Sequence, residues 1–160
     1  TMIRSAIISP CGKYRYILSR LWDSEKPKVG FMMLNPSTAD GLKDDATIRK
    51  CIQFAKNYQA GGIVVCNLNP YRSTDPDKLK DMPYHVFEEN GKYITKMIKK
   101  CELVICGWGS HKMVEHNLNS TRQYMKGYIN IFCLVINKDG NPRHPLYIPY
   151  SQKFIPYDRF

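Results

Sequence analysis

Four short apolar, β-prone runs divide this chain, and they constrain its fold more than any other feature. They occupy residues 29–34, 63–67, 103–107 and 129–136, each long enough for one buried strand. Helix-like segments separate them. Residues 46–58 place Ile48, Cys51, Ile52 and Ala55 at helical spacing, with Asp44-Asp45 ahead of them as cap candidates. Residues 88–101 put Tyr93, Met97, Ile98 and Cys101 on one face and Lys92, Lys96, Lys99 and Lys100 elsewhere. Residues 111–126 form a more polar helical segment. Ahead of all this, residues 3–9 and 14–20 are β-rich and flank Pro10-Cys11-Gly12, the composition of a hairpin. Strands alternating with helices predict an α/β fold. The expected architecture is a three-layer α/β/α sandwich with a central four-stranded parallel sheet, preceded by an N-terminal β-hairpin. One domain over residues 1–160 is expected, without repeats or an internal linker.

Composition narrows the function classes. The 160 residues are 43% apolar, enough for a core and too many for a disordered chain. No apolar stretch approaches the ~20 residues of a spanning helix, so no membrane partner is expected. The net charge of +10 fits a polyanion partner, nucleic acid being the commonest, or a lysine-rich solvated surface. Six cysteines lack a CxxC pair, which gives a zinc site little support. Cys66, Cys106 and Cys133 sit inside apolar runs, where a thiol is usually a small core residue. Reduced thiols and the absence of a recognisable secretory signal favour the cytoplasm. A P-loop, a GxGxxG fingerprint and a Gly-x-Ser-x-Gly elbow are all absent from the sequence.

In a parallel sheet the four strand C-termini share one edge, where ligands of open sheets bind. That edge is polar here. It receives Asn35-Pro36-Ser37, Asn67 through Arg72, Gly107-Trp108-Gly109-Ser110-His111, and Arg143-His144-Pro145-Leu146-Tyr147. Either asparagine alone also reads as a turn residue satisfying its own backbone. Proline after Asn35 biases that residue away from helix.

The order and spacing of these pieces resemble the uracil-DNA glycosylase superfamily. Asn35-Pro36 resembles its water-activating step. Val64-Val65-Cys66-Asn67 resembles the strand ending in the asparagine that reads the uracil edge. The run from Val104 to His111, with its Trp-Gly-Ser-His stretch, is the closest local match, and His144-Pro145-Leu146 resembles the motif carrying the catalytic histidine. Together they span residues 29 to 147. Within that superfamily the chain resembles a small divergent branch, of the kind filed as a domain of unknown function.

The resemblance implies a DNA-repair hydrolase that flips a nucleotide out of DNA and breaks its base–sugar bond. His144 would donate to the base O2, where negative charge builds. Asn67 would match the O4 acceptor and N3–H donor of uracil, a pattern that cytosine reverses. Asn35 would place the attacking water, with Asp40, Asp44 and Asp45 as alternative carboxylates. Pro36 and Ser37 would line the base pocket. Leu146, with Tyr147, would fill the gap left by the flipped base, although Leu146 also reads as a core residue. Arg143, Ser110, His111 and Lys112 would meet phosphates. The expected protein is a monomer acting on single- or double-stranded DNA without cofactor or metal, and a DNA-mimicking protein inhibitor would suit the same groove.

Two departures concern the substrate. Ser37 stands where the best-known glycosylases carry a tyrosine that excludes the thymine methyl, which implies a wider pocket. No aromatic residue lies between Pro36 and Ile52 to stack on a base. Phe54 belongs to its helix's apolar stripe and Trp108 is expected beneath the pocket. Two other readings remain open. A nucleotide or nucleoside base hydrolase would use the same pocket without needing Leu146. A non-catalytic nucleic-acid-binding module would bind in a salt-sensitive way even without His144.

Overall fold

A computed structural model describes residues 1–159. Its strands are β1 (Ile3–Ile8), β2 (Arg15–Leu21), β3 (Lys28–Met33), β4 (Gly62–Asn67), β5 (Leu103–Cys106), β6 (Ile131–Cys133) and β7 (Ile155–Pro156). The helices are α1 (Ala46–Asn57), α2 (Tyr84–Lys100) and α3 (Val114–Thr121), with short 3₁₀ turns at Pro76–Lys78, Arg122–Tyr124 and Pro145–Tyr147. One seven-stranded sheet runs in the order β1-β2-β4-β3-β5-β6-β7. Its four middle strands are the parallel set expected from the apolar runs. The N-terminal hairpin is present and joins this sheet, β2 pairing antiparallel with β4. β7 closes the other side antiparallel to β6.

The three layers follow from connection handedness. β3 leads through α1 to its neighbour β4. The chain then reverses, passing through α2 back across β3 to β5, and through α3 onward to β6. Right-handed crossovers in opposite directions put their helices on opposite faces. Phe31, Ile63, Val65 and Ile105 accordingly pack with Ile48, Cys51 and Phe54 of α1. Met32, Val64, Val104 and Cys106 pack with Ile94 and Met97 of α2 and Leu118 of α3. Chain direction reverses between β3 and β5, the position in an open sheet where a crevice forms.

Element ends differ from expectation where packing overrides periodicity. α2 begins four residues earlier than expected, and its buried stripe is Val86, Asn90, Ile94 and Met97. Tyr93 and Ile98 are half-buried at its flank. The last apolar run pairs only over Ile131–Cys133. The polar third helix is eight residues long and tightens into a 3₁₀ turn. Cys66, Cys106 and Cys133 are buried, and Cys11 is exposed.

Arg20 of β2 anchors the long β3–α1 connection. Its guanidinium is completely buried. It donates from Nε to Asp44 Oδ1 at 2.8 Å, from Nη1 to the Ser19 and Ser5 carbonyls, and from Nη2 to the Asp40 and Lys43 carbonyls. All five of its N–H bonds are used, which a buried guanidinium requires.

Candidate active site

A cavity of about 410 Å³ opens at the C-terminal edge of the parallel strands. Asn35, Asn67 and His144, 109 residues apart at the extremes of the chain segment they span, all line it. Pro36, Ser37, Ser110, His111 and Leu146 line it too. Its apolar lining comes from Met33, Leu34, Ile48, Val65 and Trp108, whose indole is 2% exposed. Trp108 donates from Nε1 to Asn141 Oδ1 at 3.0 Å. Phe54 is core, as expected.

Asn35 follows the end of β3. Its Nδ2 donates to the carbonyls of Pro36 (3.0 Å), Ser73 (2.9 Å) and Tyr71 (3.5 Å). Three carbonyls around one amide end fix its orientation, because the carbonyl end would find no donor there. Oδ1 is left without a hydrogen-bond donor among the described residues. The residue therefore performs the expected turn-holding role and also presents an acceptor at the cavity.

Asn67 ends β4 and is 1% exposed. Its Oδ1 accepts from Arg15 Nη2 at 3.4 Å, and its main-chain carbonyl accepts from Asn90 Nδ2 at 3.0 Å. No partner for Asn67 Nδ2 exists among the described residues, so a donor faces the cavity that this side chain lines.

His144 precedes the 3₁₀ turn Pro145–Tyr147. Its Nδ1 accepts the Leu146 backbone N–H at 3.2 Å. Burial lowers the imidazole pKa below its ordinary value, against the opposing field of Asp45. The ring is thus neutral near pH 7 with its proton on Nε2, which has no partner among the described residues. Glycine lets this turn approach the sheet. A Cβ on Gly107 would lie 3.0 Å from Pro145 Cδ and 3.2 Å from Met33 Sδ. Gly109 adopts φ +76° and donates to the Pro142 carbonyl at 2.9 Å, tying the loops after β5 and β6 together.

Of the three alternative carboxylates one lines the cavity, and one further cavity residue, Arg15, was not anticipated. Asp45 was expected to cap α1, and it does, accepting Ile48 N–H on Oδ1 at 2.9 Å. It is also the one carboxylate among the described residues lining the cavity. Arg15 was read only as part of the hairpin. It is 2% exposed and lines the cavity floor beside Asn67. The signal for it was a guanidinium inside the apolar run Tyr14–Leu18, since a buried cation needs partners. The other aspartates are spent elsewhere. Asp40 Oδ1 accepts the Leu42 and Lys43 N–H groups, and Asp44 pairs with Arg4 and Arg20.

The residues expected to meet phosphate already have intramolecular partners. Ser110 donates to Asp139 at 3.0 Å and accepts from Asn137 at 2.9 Å, while Arg143 Nε donates to Asn137 Oδ1 at 2.8 Å. His111 Nε2 lies 2.8 Å from Asp77, its Nδ1 accepts the Met113 N–H, and Lys112 Nζ is 3.4 Å from the same Asp77. Leu146 is half-buried at the cavity rim and Tyr147 is 86% exposed beside it. Apart from the imidazoles of His111 and His144, Trp108 carries the one aromatic ring among the described residues lining the cavity, and it is almost fully buried.

Residues 15–146 match the sequence profile of the family described as Protein of unknown function (DUF1643), and the chain belongs to that family. No curated protein is significantly similar to it. Among solved structures, it is similar to the hetero-hexameric glutamate dehydrogenase from Thermus thermophilus in its leucine-bound form, at 14% identity and a TM-score of 0.38. That similarity covers 91% of this chain and 34% of the dehydrogenase chain.

Proposed function

We propose that this DUF1643 chain is a DNA glycosylase of the uracil-DNA glycosylase type, hydrolysing the bond between uracil, or a related pyrimidine, and deoxyribose. The carrying observation is the neutral His144, with Nδ1 occupied and Nε2–H unpartnered, in the same cavity as Asn67. One side chain offers a donor for a base oxygen and the other an amide for the opposite edge of a pyrimidine. Both are fixed before substrate arrives, which is what electrostatic stabilisation of a developing anion requires.

In this reading the C1′–N1 bond breaks with its electron pair remaining on the base. His144 Nε2–H donates to O2 of the departing anion. A water held by Asn35 Oδ1 supplies the hydroxyl that bonds C1′. Asp45 accepts the proton which that water loses, and the released base is reprotonated in turn. Asp45 is better suited than Asn35 to this last task, because an amide is a very weak base. Ser37 leaves space beside the ring for a 5-substituent. Leu146 at the rim suits the gap left in the stack by an extruded base.

The test is strand cleavage at abasic sites. Oligonucleotides carry uracil opposite A, opposite G or unpaired, with thymine and hydroxymethyluracil controls. Base release that His144→Ala abolishes supports the reading. Absence of release from every substrate sinks it. Loss of activity on Leu146→Ala with duplexes alone separates DNA repair from hydrolysis of free nucleosides.

A further inference from the structure

Arg15 is a charge without an ion-pair partner. Nη1 donates to the Ala39 carbonyl at 3.2 Å and Nη2 to Asn67 Oδ1 at 3.4 Å, while Nε is buried and unpaired. A guanidinium 2% exposed with one idle donor is a costly arrangement unless something else uses its charge. No carboxylate of the described residues lies within 4 Å of it, yet it lines the cavity. Arg20, five residues along the same strand, shows the alternative, since each of its N–H bonds is used and Asp44 pairs with it.

From this contrast we propose that Arg15 is the positioning and charge-complementing residue of the cavity: it holds Asn67 with Nδ2 toward the ligand and favours a 4-oxo pyrimidine in its anionic form. The inference rests on the glycosylase reading and deepens it. Arg15 donates only, so the amide end it holds must be Oδ1. The free Nδ2 then meets a carbonyl at position 4 well and an amino group badly. As the C1′–N1 bond breaks, its electron pair stays on the base, and Arg15, the one permanent cation among the described residues lining the cavity, opposes that charge from the Asn67 side while His144 meets it at O2. Other charged or titrating groups facing Arg15 are Asp45 at the start of α1, Cys66 on β4, Arg20 on β2 and Arg72 after β4, with His144 and His111 across the cavity.

Calorimetric binding of free bases tests this without requiring turnover. Uracil and cytosine are compared first. 5-Fluorouracil is then titrated below and above the pKa of its own ring N–H. Both pH values lie above the imidazole range and below about 10, to which burial draws Arg15. The wild type is expected to prefer uracil over cytosine at least ~10-fold, the penalty of one mismatched polar contact. It should also bind the fluorouracil anion more tightly than the neutral base. Arg15→Gln should lose both preferences. Arg15→Lys, which keeps the charge and loses the fork, should retain anion preference and lose uracil discrimination. It also gives a reading if the glutamine variant does not fold. Wild-type preferences in a folded Arg15→Lys and Arg15→Gln, or no pyrimidine binding by the wild type, overturn the proposal. Arg15-dependent preferences in a protein that cleaves no oligonucleotide overturn the glycosylase reading alone.

Discussion

The backbone N–H of Leu146 donates to Nδ1 of His144 across 3.2 Å, so the residue at the cavity rim fixes the tautomer of the residue inside it. A protonated ring would carry hydrogen on both nitrogens and set two donors against each other there.

That relationship predicts a pH profile. The folded-state pKa of His144 lies below its ordinary value, because burial disfavours the charged ring. Base release should be level around neutrality and fall on the acid side, with a midpoint below the ordinary histidine value of about 6.5. The same sign holds for stability. The unfolded chain binds this proton more readily, so the contribution is intact above the unfolded pKa and declines as pH falls toward the folded one. His144→Ala should lower the single-turnover rate by about 10²–10³, the usual loss for one preorganised donor.

Asp45 can be divided into its two roles. Asparagine caps a helix about as well as aspartate, so Asp45→Asn should shift urea-unfolding stability by no more than a few tenths of a kcal/mol. If the carboxylate takes the proton from water, the same variant should lose about 10²-fold or more in single-turnover cleavage. Unchanged cleavage would return the water-activating role to Asn35.

The Arg20–Asp44 pair contributes to acid stability. Burial pushes the Asp44 carboxyl upward, but hydrogen bonds from Arg4 and Arg20 outweigh it and hold the pKa below its ordinary value. The stabilisation is therefore present above the unfolded carboxylate pKa and disappears as pH falls through the lower folded value. Asp44→Asn should cost about 2 kcal/mol at neutral pH, since Arg20 keeps four carbonyl partners. It should also flatten the acid limb of stability measured by urea unfolding.

Gly107→Ala tests how the cavity is assembled. The added methyl would meet Pro145 and Met33 and press the turn carrying His144 outward. Overpacking of this kind costs about 1–3 kcal/mol. The cleavage rate should fall while uracil binding through Asn67 persists. A crystal structure of the variant would show the displacement directly.

Thiol chemistry should be confined to one position. Cys51, Cys66, Cys101, Cys106 and Cys133 are buried, and burial raises their pKa values. Cys11 is exposed in the hairpin turn, and a hydrogen bond with Ser9 lowers its pKa. Iodoacetamide should label one thiol per native chain, identified by mass spectrometry as Cys11, and the others only after unfolding.

The parallel core was legible because each of its strands is an apolar run bounded by polar turns. The hairpin was legible from its β-rich arms and Pro-Cys-Gly turn. The short β7 carries no such signal and pairs through an exposed Ile155-Pro156. Asn35, Asn67 and His144 could be placed on one edge because strand direction alone sends them there. What each side chain does at that edge depends on atoms remote in sequence. Arg15 reaches Asn67 from 52 positions away, and nothing local to either residue announces it. Asp45 was recognisable from its neighbours as a cap and, with Asp40 and Asp44, as an alternative carboxylate; that it alone of the three lines the cavity is decided by a fold that lays the start of α1 there.

Two segments lining the cavity are clasped by side chain and main chain together: Asn35 Nδ2 is shared between the Pro36 carbonyl on one and the Tyr71 and Ser73 carbonyls on the other, and the Ser73 N–H donates back to the Pro36 carbonyl at 2.9 Å. The spacing of the two segments is therefore held by a latch made from both sides. Lengthening either segment inside that latch would widen the opening and change which molecules are admitted, whereas insertions farther along the same loops would leave the gauge untouched.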